Sequence, residues 1–301
     1  MLSIDVVRSD ADLEDMIRVQ ALVRPEWQPR LENLRHNLDS NPNLTYFVGR
    51  LGEEPVACGF VEQWGQLSQG DLAVVPACRR QGIGSALFAE ISARGRALGT
   101  DEIQGEVQES DADSLAFFDH RSFVPVGGEK AVVLELEGID APEVAPPEGV
   151  RIVTRAEEPD RLDEMYALAT QADEDIPGSA GVQSFERWRA MDIDRPNCLP
   201  ELCFLALAGA EVVGYAFLLA QGKRAFHGLT VTRRDWRRRG VATALKHAEI
   251  AAAKREGLRR LLTESEERNE PMRRLNEKLG FVPAPEWSTV VIRGPIAILE
   301  G

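Results

Sequence analysis

The chain of 301 residues has no apolar run near the ~18 consecutive residues that a membrane-crossing helix needs, which argues against a membrane role. Its start, Met1-Leu2-Ser3-Ile4-Asp5, has neither a basic nor an apolar region, so no secretory signal is read and a cytoplasmic protein is expected. Cysteine is sparse: Cys58, Cys78, Cys198 and Cys203 contain no Cys-x-x-Cys pair, and only four histidines accompany them. No metal site is therefore expected, and the cysteines read as buried free thiols. Positive charge is the minority, with 35 Lys and Arg against 49 Asp and Glu and a net charge of −14. A nucleic-acid partner is not expected, because phosphate binding wants a basic surface. The same acidity suits a cationic small substrate, although solubility alone also accounts for it. Gly-Lys-(Ser/Thr) is absent, which removes a Walker A loop. A dinucleotide fingerprint also fails, because Leu87 and Leu245 stand where its third glycine would fall.

What is present is a repeat. Gly82 and Gly240 are 158 residues apart, as are Gly99 and Gly257, and the tripeptides Phe123-Val124-Pro125 and Phe281-Val282-Pro283. Upstream the spacing drifts: Gly59 to Gly214 is 155 and Arg8 to Arg155 is 147. Length changes in early loops and helices account for such drift. The proline- and acid-rich stretch 138–149 reads as an extended linker. The expected domains are 1–140 and 150–301, joined by 141–149. With 44% hydrophobic residues, each half can build a core. Each half reads as strand, helix, hairpin, then a strand running through a glycine-bearing turn into a helix, and finally strand, helix and strands. The predicted class is α/β: two tandem domains, each with a mixed, mostly antiparallel central sheet flanked by helices.

The chemistry lies in the strand–turn–helix segments. The first copy runs Val74 through Arg79-Arg80-Gln81-Gly82-Ile83-Gly84-Ser85. The second runs Val231-Thr232 through Arg237-Arg238-Arg239-Gly240-Val241-Ala242-Thr243. Both carry Arg-x-x-Gly-x-(Gly/Ala) where a helix begins. Unpaired N–H groups at a helix start, its dipole and flanking arginines together make an anion cradle, and glycine lets a diphosphate approach the backbone. One such motif is weak evidence, since any helix can start after a glycine. Two at equal offset, each after a strand, are far stronger.

These segments resemble the signature of the GNAT acetyltransferase superfamily, Arg/Gln-x-x-Gly-x-Gly/Ala. The second copy is the closer match, through Asn269-Glu270-Pro271-Met272 and Leu275-Asn276-Glu277-Lys278-Leu279-Gly280-Phe281. Two such units in one chain is the arrangement of the mycothiol synthase type, from which architecture alone is carried over. The resemblance implies acetyl-CoA as co-substrate, gripped by those loop residues and Asn269. It also implies direct attack by a primary amine of a small molecule on the thioester. Strand N–H groups near Val231 and Thr232, or near Val74, would polarise the thioester carbonyl. Many family members protonate the leaving thiolate with a tyrosine on the late helix; here Phe118 and Asn276 match that position, so the acid is missing from both copies.

For the base, the resemblance points to the strand before the second loop. His227 sits there and titrates near neutrality, or is simply packed at a strand start. Glu264 is another candidate, as are Asp71 and Glu106 in the first copy; solvated strand-end or turn carboxylates explain these equally. Asp173-Glu174-Asp175, before Ile176-Pro177-Gly178, falls where the fold has substrate loops and could attract an ammonium group. Trp64, Trp188 and Trp287 read as core residues more readily than as pocket walls. The second copy is expected to be catalytic and the first a second or degenerate coenzyme site, in a monomer with an internal pseudo-dimer or in a homodimer. The competing readings are an acyl-CoA-binding regulatory module without turnover and a protein N-acetyltransferase.

Overall fold

The computed structural model describes residues 1–25, 29–175 and 183–296. The chain divides into two compact units, Met1–Gly127 with Val290–Gly301, and Gly128–Thr289. Unit 1 holds β1 (Leu2–Val6), α1 (Asp10–Val23), α2 (Leu31–Ser40), β2 (Thr45–Leu51), β3 (Glu54–Trp64), β4 (Leu67–Val74), α3 (Ile83–Ala97), β5 (Glu102–Gln108) and α4 (Ala112–Asp119). The strand β6 (Val124–Glu135) starts in unit 1 and gives its residues from Gly128 onward to unit 2. Unit 2 continues with β7 (Val150–Thr154), α5 (Leu162–Asp173), α6 (Phe185–Trp188), β8 (Cys203–Ala208), β9 (Glu211–Gln221), β10 (Arg224–Thr232), α7 (Val241–Arg255), β11 (Arg260–Glu266), α8 (Glu270–Lys278) and β12 (Val282–Pro283). The last strand, β13 (Thr289–Pro295), returns to unit 1 from Val290.

In unit 1 the strands lie in the order β1-β2-β3-β4-β5-β13. The first four are antiparallel neighbours and β5 is parallel to β4. In unit 2 the order is β7-β8-β9-β10-β11-β6, with only β10 and β11 parallel. Each unit thus has the mixed, mostly antiparallel sheet expected of it. Alternation along the strands fills both faces. Val48, Cys58 and Ala73 pack under α1 and α2 with Leu13, Met16, Val19 and Leu34. Their neighbours Phe47, Ala57 and Val74 face the other way, under α3 with Ile83, Leu87 and Ile91. In unit 2, α7 covers Phe204, Ala206, Val213 and Leu261, while Met165, Leu168 and Trp188 cover Leu205, Leu207 and Val231. Helix α1 starts where it does because of a capping box: Ser9 Oγ accepts from the Asp12 N–H while Asp12 Oδ2 accepts from the Ser9 N–H at 3.0 Å.

The repeat holds at atomic detail. Asp111 and Asn269 each cap the helix that follows them, and Gly99 and Gly257 leave their helices with φ of 83° and 67°. The hairpins correct one pairing. A β-bulge falls after Gly49 opposite Ala57, and another after Ala206 opposite Gly214. Gly214 therefore corresponds to Ala57 (214 − 57 = 157), and Gly59 is not its partner. Val7 N–H bonds Tyr46 O, and Arg155 N–H bonds Cys203 O. So the offset is 148 at the first strand (155 − 7) and 157 at the second (203 − 46): nine residues of the length change fall in the helical segment between them, and the bulge between His227 and Thr230 adds the one that brings it to 158 at the loops.

The compact units cut the chain elsewhere than the expected domains 1–140 and 150–301. The segment 141–149 carries no helix or strand and lies along α7, where the His247 imidazole bonds Glu143 O at 3.0 Å. Lys254 Nζ likewise bonds Leu136 O at 2.9 Å and Ile139 O. Each copy's last strand serves the other copy's core: Ile292 and Ile296 join Phe88, Ile91, Ile103 and Phe123 in unit 1, whereas Leu134 and Leu136 join Leu245, Leu261 and Phe281 in unit 2. The physical reason is apolar burial, which follows three-dimensional neighbours and ignores where a duplicated segment begins. Cys58, Cys198 and Cys203 are buried and Cys78 half-buried, all as free thiols; burial pushes the Cys58 and Cys198 thiols up to about 12.

Truncating Ile292 to Ala should cost about 2–4 kcal/mol of stability. Amide exchange should accelerate first in β5 and α3 of unit 1, even though residue 292 belongs to the second sequence copy. Urea titration with hydrogen-exchange readout checks this; faster exchange confined to unit 2 would contradict the strand assignment.

Candidate functional site

Both loops are built alike. A single 3-10 turn follows the strand, at Pro76–Cys78 and at Arg234–Trp236. The guanidinium that comes next turns back onto its own strand: Arg79 Nε donates to Val74 O at 3.2 Å and Arg237 Nε to Thr232 O at 3.1 Å. Arg80 and Arg238 then take positive φ, 62° and 61°, followed by Gly82 and Gly240 at 83° and 93°. These last two glycines are helix N-caps in a left-handed conformation, with no side chain capping either helix. A Cβ on either would meet nothing within 4 Å, so the space above each helix start is open. The first N–H groups of α3 and α7 are thus left without a side-chain cap, as an anion site requires.

Below the loops the sheets fork. Strands β4 and β5 pair only at Ser68–Ile103 and Gln69–Gln104, then part. Strands β10 and β11 pair only from Arg224–Arg260 to Phe226–Leu262. At the unit 1 fork the strands stay close: a Cβ on Gly105 would fall 2.8 Å from the Gly70 carbonyl oxygen. A cavity of about 340 Å³ opens there. Its lining includes Arg79, Arg80, Gly82, Gly84 and Ser85 of the loop, and Phe88, Phe117 and Phe118 from α3 and α4. It also includes Arg24, Asp71 and Glu106. Leu72 and Val74 face α3 and Ala73 faces α1, which places Asp71 on the α1 side. On β5, Ile103 and Val107 face α3, so Glu106 also lies on the α1 side. The cavity therefore passes between the strands from one face of the sheet to the other.

Two features of this cavity were not read from sequence. Arg121 stacks on the Phe117 ring at 3.6 Å and donates to Ser85 Oγ at 2.7 Å, adding a cation at the start of α3. Arg24, at the C-cap of α1, forms two hydrogen bonds of 2.7 and 2.8 Å to the Asp71 carboxylate. Burial works to raise the Asp71 carboxyl, but the Arg24 charge and hydrogen bonds outweigh it and hold the pKa below the usual value. Only proximity in the fold reveals either pair, since 36 and 47 residues separate the partners.

Unit 2 treats its equivalents differently. The acidic cluster meets the loop instead of standing open: Arg234 bonds Glu174 at 2.9 Å and Asp175 at 2.8 Å, and Arg237 also bonds Asp175. Hydrogen bonds from Arg234 and then Arg237 pull the Asp175 carboxyl down to about 2. Glu174 and Asp175 are thus engaged with guanidinium groups. Ile176-Pro177-Gly178 lie outside the described residues. Trp236 carries the Arg239 guanidinium over its ring at 4.9 Å. Asn269 accepts from the Met272 N–H at 3.4 Å as the cap of α8. Val231 is buried, and Thr232 Oγ1 has no partner among the described residues. Val241, Ala242 and Thr243 form the first turn of α7.

His227 and Glu264 do not come together. His227 shares the α7 face with Ala225, its side chain wholly buried and its Nδ1 2.9 Å from Glu249 Oε2. Burial, the largest influence, lowers the imidazole pKa against the pull of Glu249, so it sits neutral. Glu264 is exposed, and the register Phe226–Leu262 puts it on the opposite face. Trp188 packs in the core with Tyr166 and Phe185, as expected, while Trp287 is half-buried and meets the Phe226 ring edge-on. No described helix is long and apolar enough to cross a membrane.

The sequence profile of the acetyltransferase (GNAT) family matches twice, at residues 12–123 and 162–281. Comparison with curated proteins finds no match in sequence. Among solved structures, the chain is similar to a tandem GNAT protein from the clavulanic acid biosynthesis pathway, at 21% identity over 100% of both chains and a TM-score of 0.79. It is similar to a GCN5-related N-acetyltransferase from Sphaerobacter thermophilus, at 19% identity over 99% of this chain and 96% of that one, with a TM-score of 0.76. A third, described as a putative acetyltransferase from Pyrococcus horikoshii, is 18% identical over 100% of this chain and 91% of that one, with a TM-score of 0.66. The doubled loop, the doubled fork and the doubled profile match lead to one assignment: the chain is a tandem member of the acetyltransferase (GNAT) family.

Proposed function

We propose that the chain moves an acetyl group from acetyl-CoA to a primary amine of a small molecule, and that unit 1 holds the working site. The observation that carries this is the cavity that threads the β4–β5 fork, with the anion cradle on one face and carboxylates on the other. Acetyl-CoA supplies the activated thioester. The N–H groups of Ile83, Gly84 and Ser85, with Arg79, Arg80 and Arg121, suit its pyrophosphate. Beyond Gln69 the β4 edge has no β5 partner, so backbone N–H groups are available to polarise a thioester carbonyl. Glu106, on the α1 face, is placed to accept the proton of an amine arriving from that side. Asp71 suits that task less, because Arg24 holds it as the anion. Unit 2 serves better as a second coenzyme site: Arg234 and Arg237 of its loop are tied to Glu174 and Asp175, and His227 is sealed against Glu249.

A second reading, an acyl-CoA-binding module without turnover, is favoured by one observation: Phe118 lines the cavity where a thiolate acid is expected. Release of free thiol in the presence of amines separates the two readings.

Calorimetric titration of acetyl-CoA into wild type, Gly82→Glu and Gly240→Glu counts and assigns the sites. Activity should vanish with Gly82→Glu and survive Gly240→Glu; the reverse pattern would sink the choice of unit 1. Glu106→Gln should lower kcat about 10²-fold and flatten the acid limb of the rate profile, which a pH series of initial rates measures. His227→Gln should keep acetyl transfer while lowering stability by about 3 kcal/mol, because it leaves Glu249 buried without its partner. The lowered imidazole pKa adds a pH signature: the wild-type contribution is present above about 6.5, the unfolded value, and fades as pH falls below it. Urea unfolding at pH 5 and pH 8 tests that sign.

A further inference from the structure

At the α1-side end of the unit 1 cavity stands an ion pair that acetyl transfer itself does not need. Arg24 and Asp71 both line the cavity, with side chains 30% and 21% exposed. Such a pair is a weak source of stability, because desolvating two charges offsets most of their attraction. Both hydrogen bonds to Asp71 come from the terminal nitrogens Nη1 and Nη2. A guanidinium has five N–H donors, so three remain beyond the two given to Asp71. Asp71 in turn fixes the plane and direction of the guanidinium, which removes the entropy cost of ordering a long side chain on binding.

The remaining walls set the charge of what can sit there. Glu106, Asp111 and Asp113 also line the cavity. A plain anion entering beside three carboxylates is repelled, and a simple ammonium leaves the spare Arg24 donors without an acceptor. A molecule with both charges satisfies the two ends: its carboxylate on the open edge of Arg24, its amine towards Glu106 and the fork.

We propose that this end of the cavity selects an acceptor whose amine is accompanied by a carboxylate, a molecule of the amino-acid type, with Arg24 as the carboxylate receptor and Asp71 as its positioning residue. The inference rests on unit 1 being the working site. Acetyl transfer is measured with L-amino acids of acidic, basic, aliphatic and aromatic side chain, each beside its methyl ester and its decarboxylated amine. The best free amino acid should exceed its ester and its amine in kcat/KM by about 30-fold, the scale of one charge-assisted carboxylate contact. In the double variant Arg24→Gln/Asp71→Asn, which leaves no buried charge unpaired, that preference should shrink to about 3-fold or less. The loss should fall on KM for the amino acid, with acetyl-CoA affinity unchanged, and Arg24→Lys should recover only part of the preference.

Esters or amines that match the free acids, amino acids that are not turned over while simple amines are, or a preference that survives the double variant each overturn the inference. Titration of acetyl-CoA separates this from the reading beneath it. Intact binding that is lost in Gly82→Glu, with no preference for the carboxylate, sinks the inference alone. Binding that is indifferent to Gly82→Glu sinks the assignment to unit 1, and the inference with it.

Discussion

Two ladder rungs hold β4 to β5, and everything proposed for the site depends on there being no third. A sheet normally satisfies every backbone donor and acceptor along both strands, and an unpaired stretch is costly when buried. Here the strands separate just past Gly70, and the unpaired edges face a cavity instead of apolar packing. The close contact of Gly105 with the Gly70 carbonyl keeps the strands tight up to the parting, so the opening is abrupt. That abruptness gives a wall of aromatic rings on one side and charged groups on the other, joined through the gap.

Much of this was legible in the sequence, because it is local. A glycine at positive φ before a helix, a capping residue three positions upstream of its partner and an arginine folding back on its strand all act within about five residues. Their spacing survives in the chain, so the repeat at offset 158 located both loops, both helix C-caps and the doubled architecture. The alternation of apolar residues likewise marked the first strand, the hairpin and the strand entering the loop in each half.

What stayed hidden depends on long-range neighbours. Nothing near Arg24 announces Asp71, and nothing near Asp175 announces Arg234 and Arg237; each pair meets only because strands and helices bring distant segments together. His227 shows the same limit from the other side. Its place before the second loop fits a base, yet strand alternation turns it into the α7 face, where Glu249 takes its Nδ1 and solvent cannot reach it. Whether a strand residue points to a pocket or a core rests on register, and the bulge between His227 and Thr230 shifts that register with Gly228 as its one mark in the sequence. The second helix, α2, was not foreseen, for it is short and mostly polar, and of its Leu31, Leu34 and Leu38 stripe only Leu34 is buried.

The exchange of final strands has a consequence for how the chain comes off the ribosome. Unit 2 has all its strands once Thr289 is made, since β6 was synthesised long before. Unit 1 begins first but lacks Ile292 and Ile296 until all of unit 2 has been made. During most of synthesis its β5 edge and part of its core stand open to water, a state prone to wrong partners. The half made first is therefore the half whose core is completed last, after every strand of unit 2 is in place.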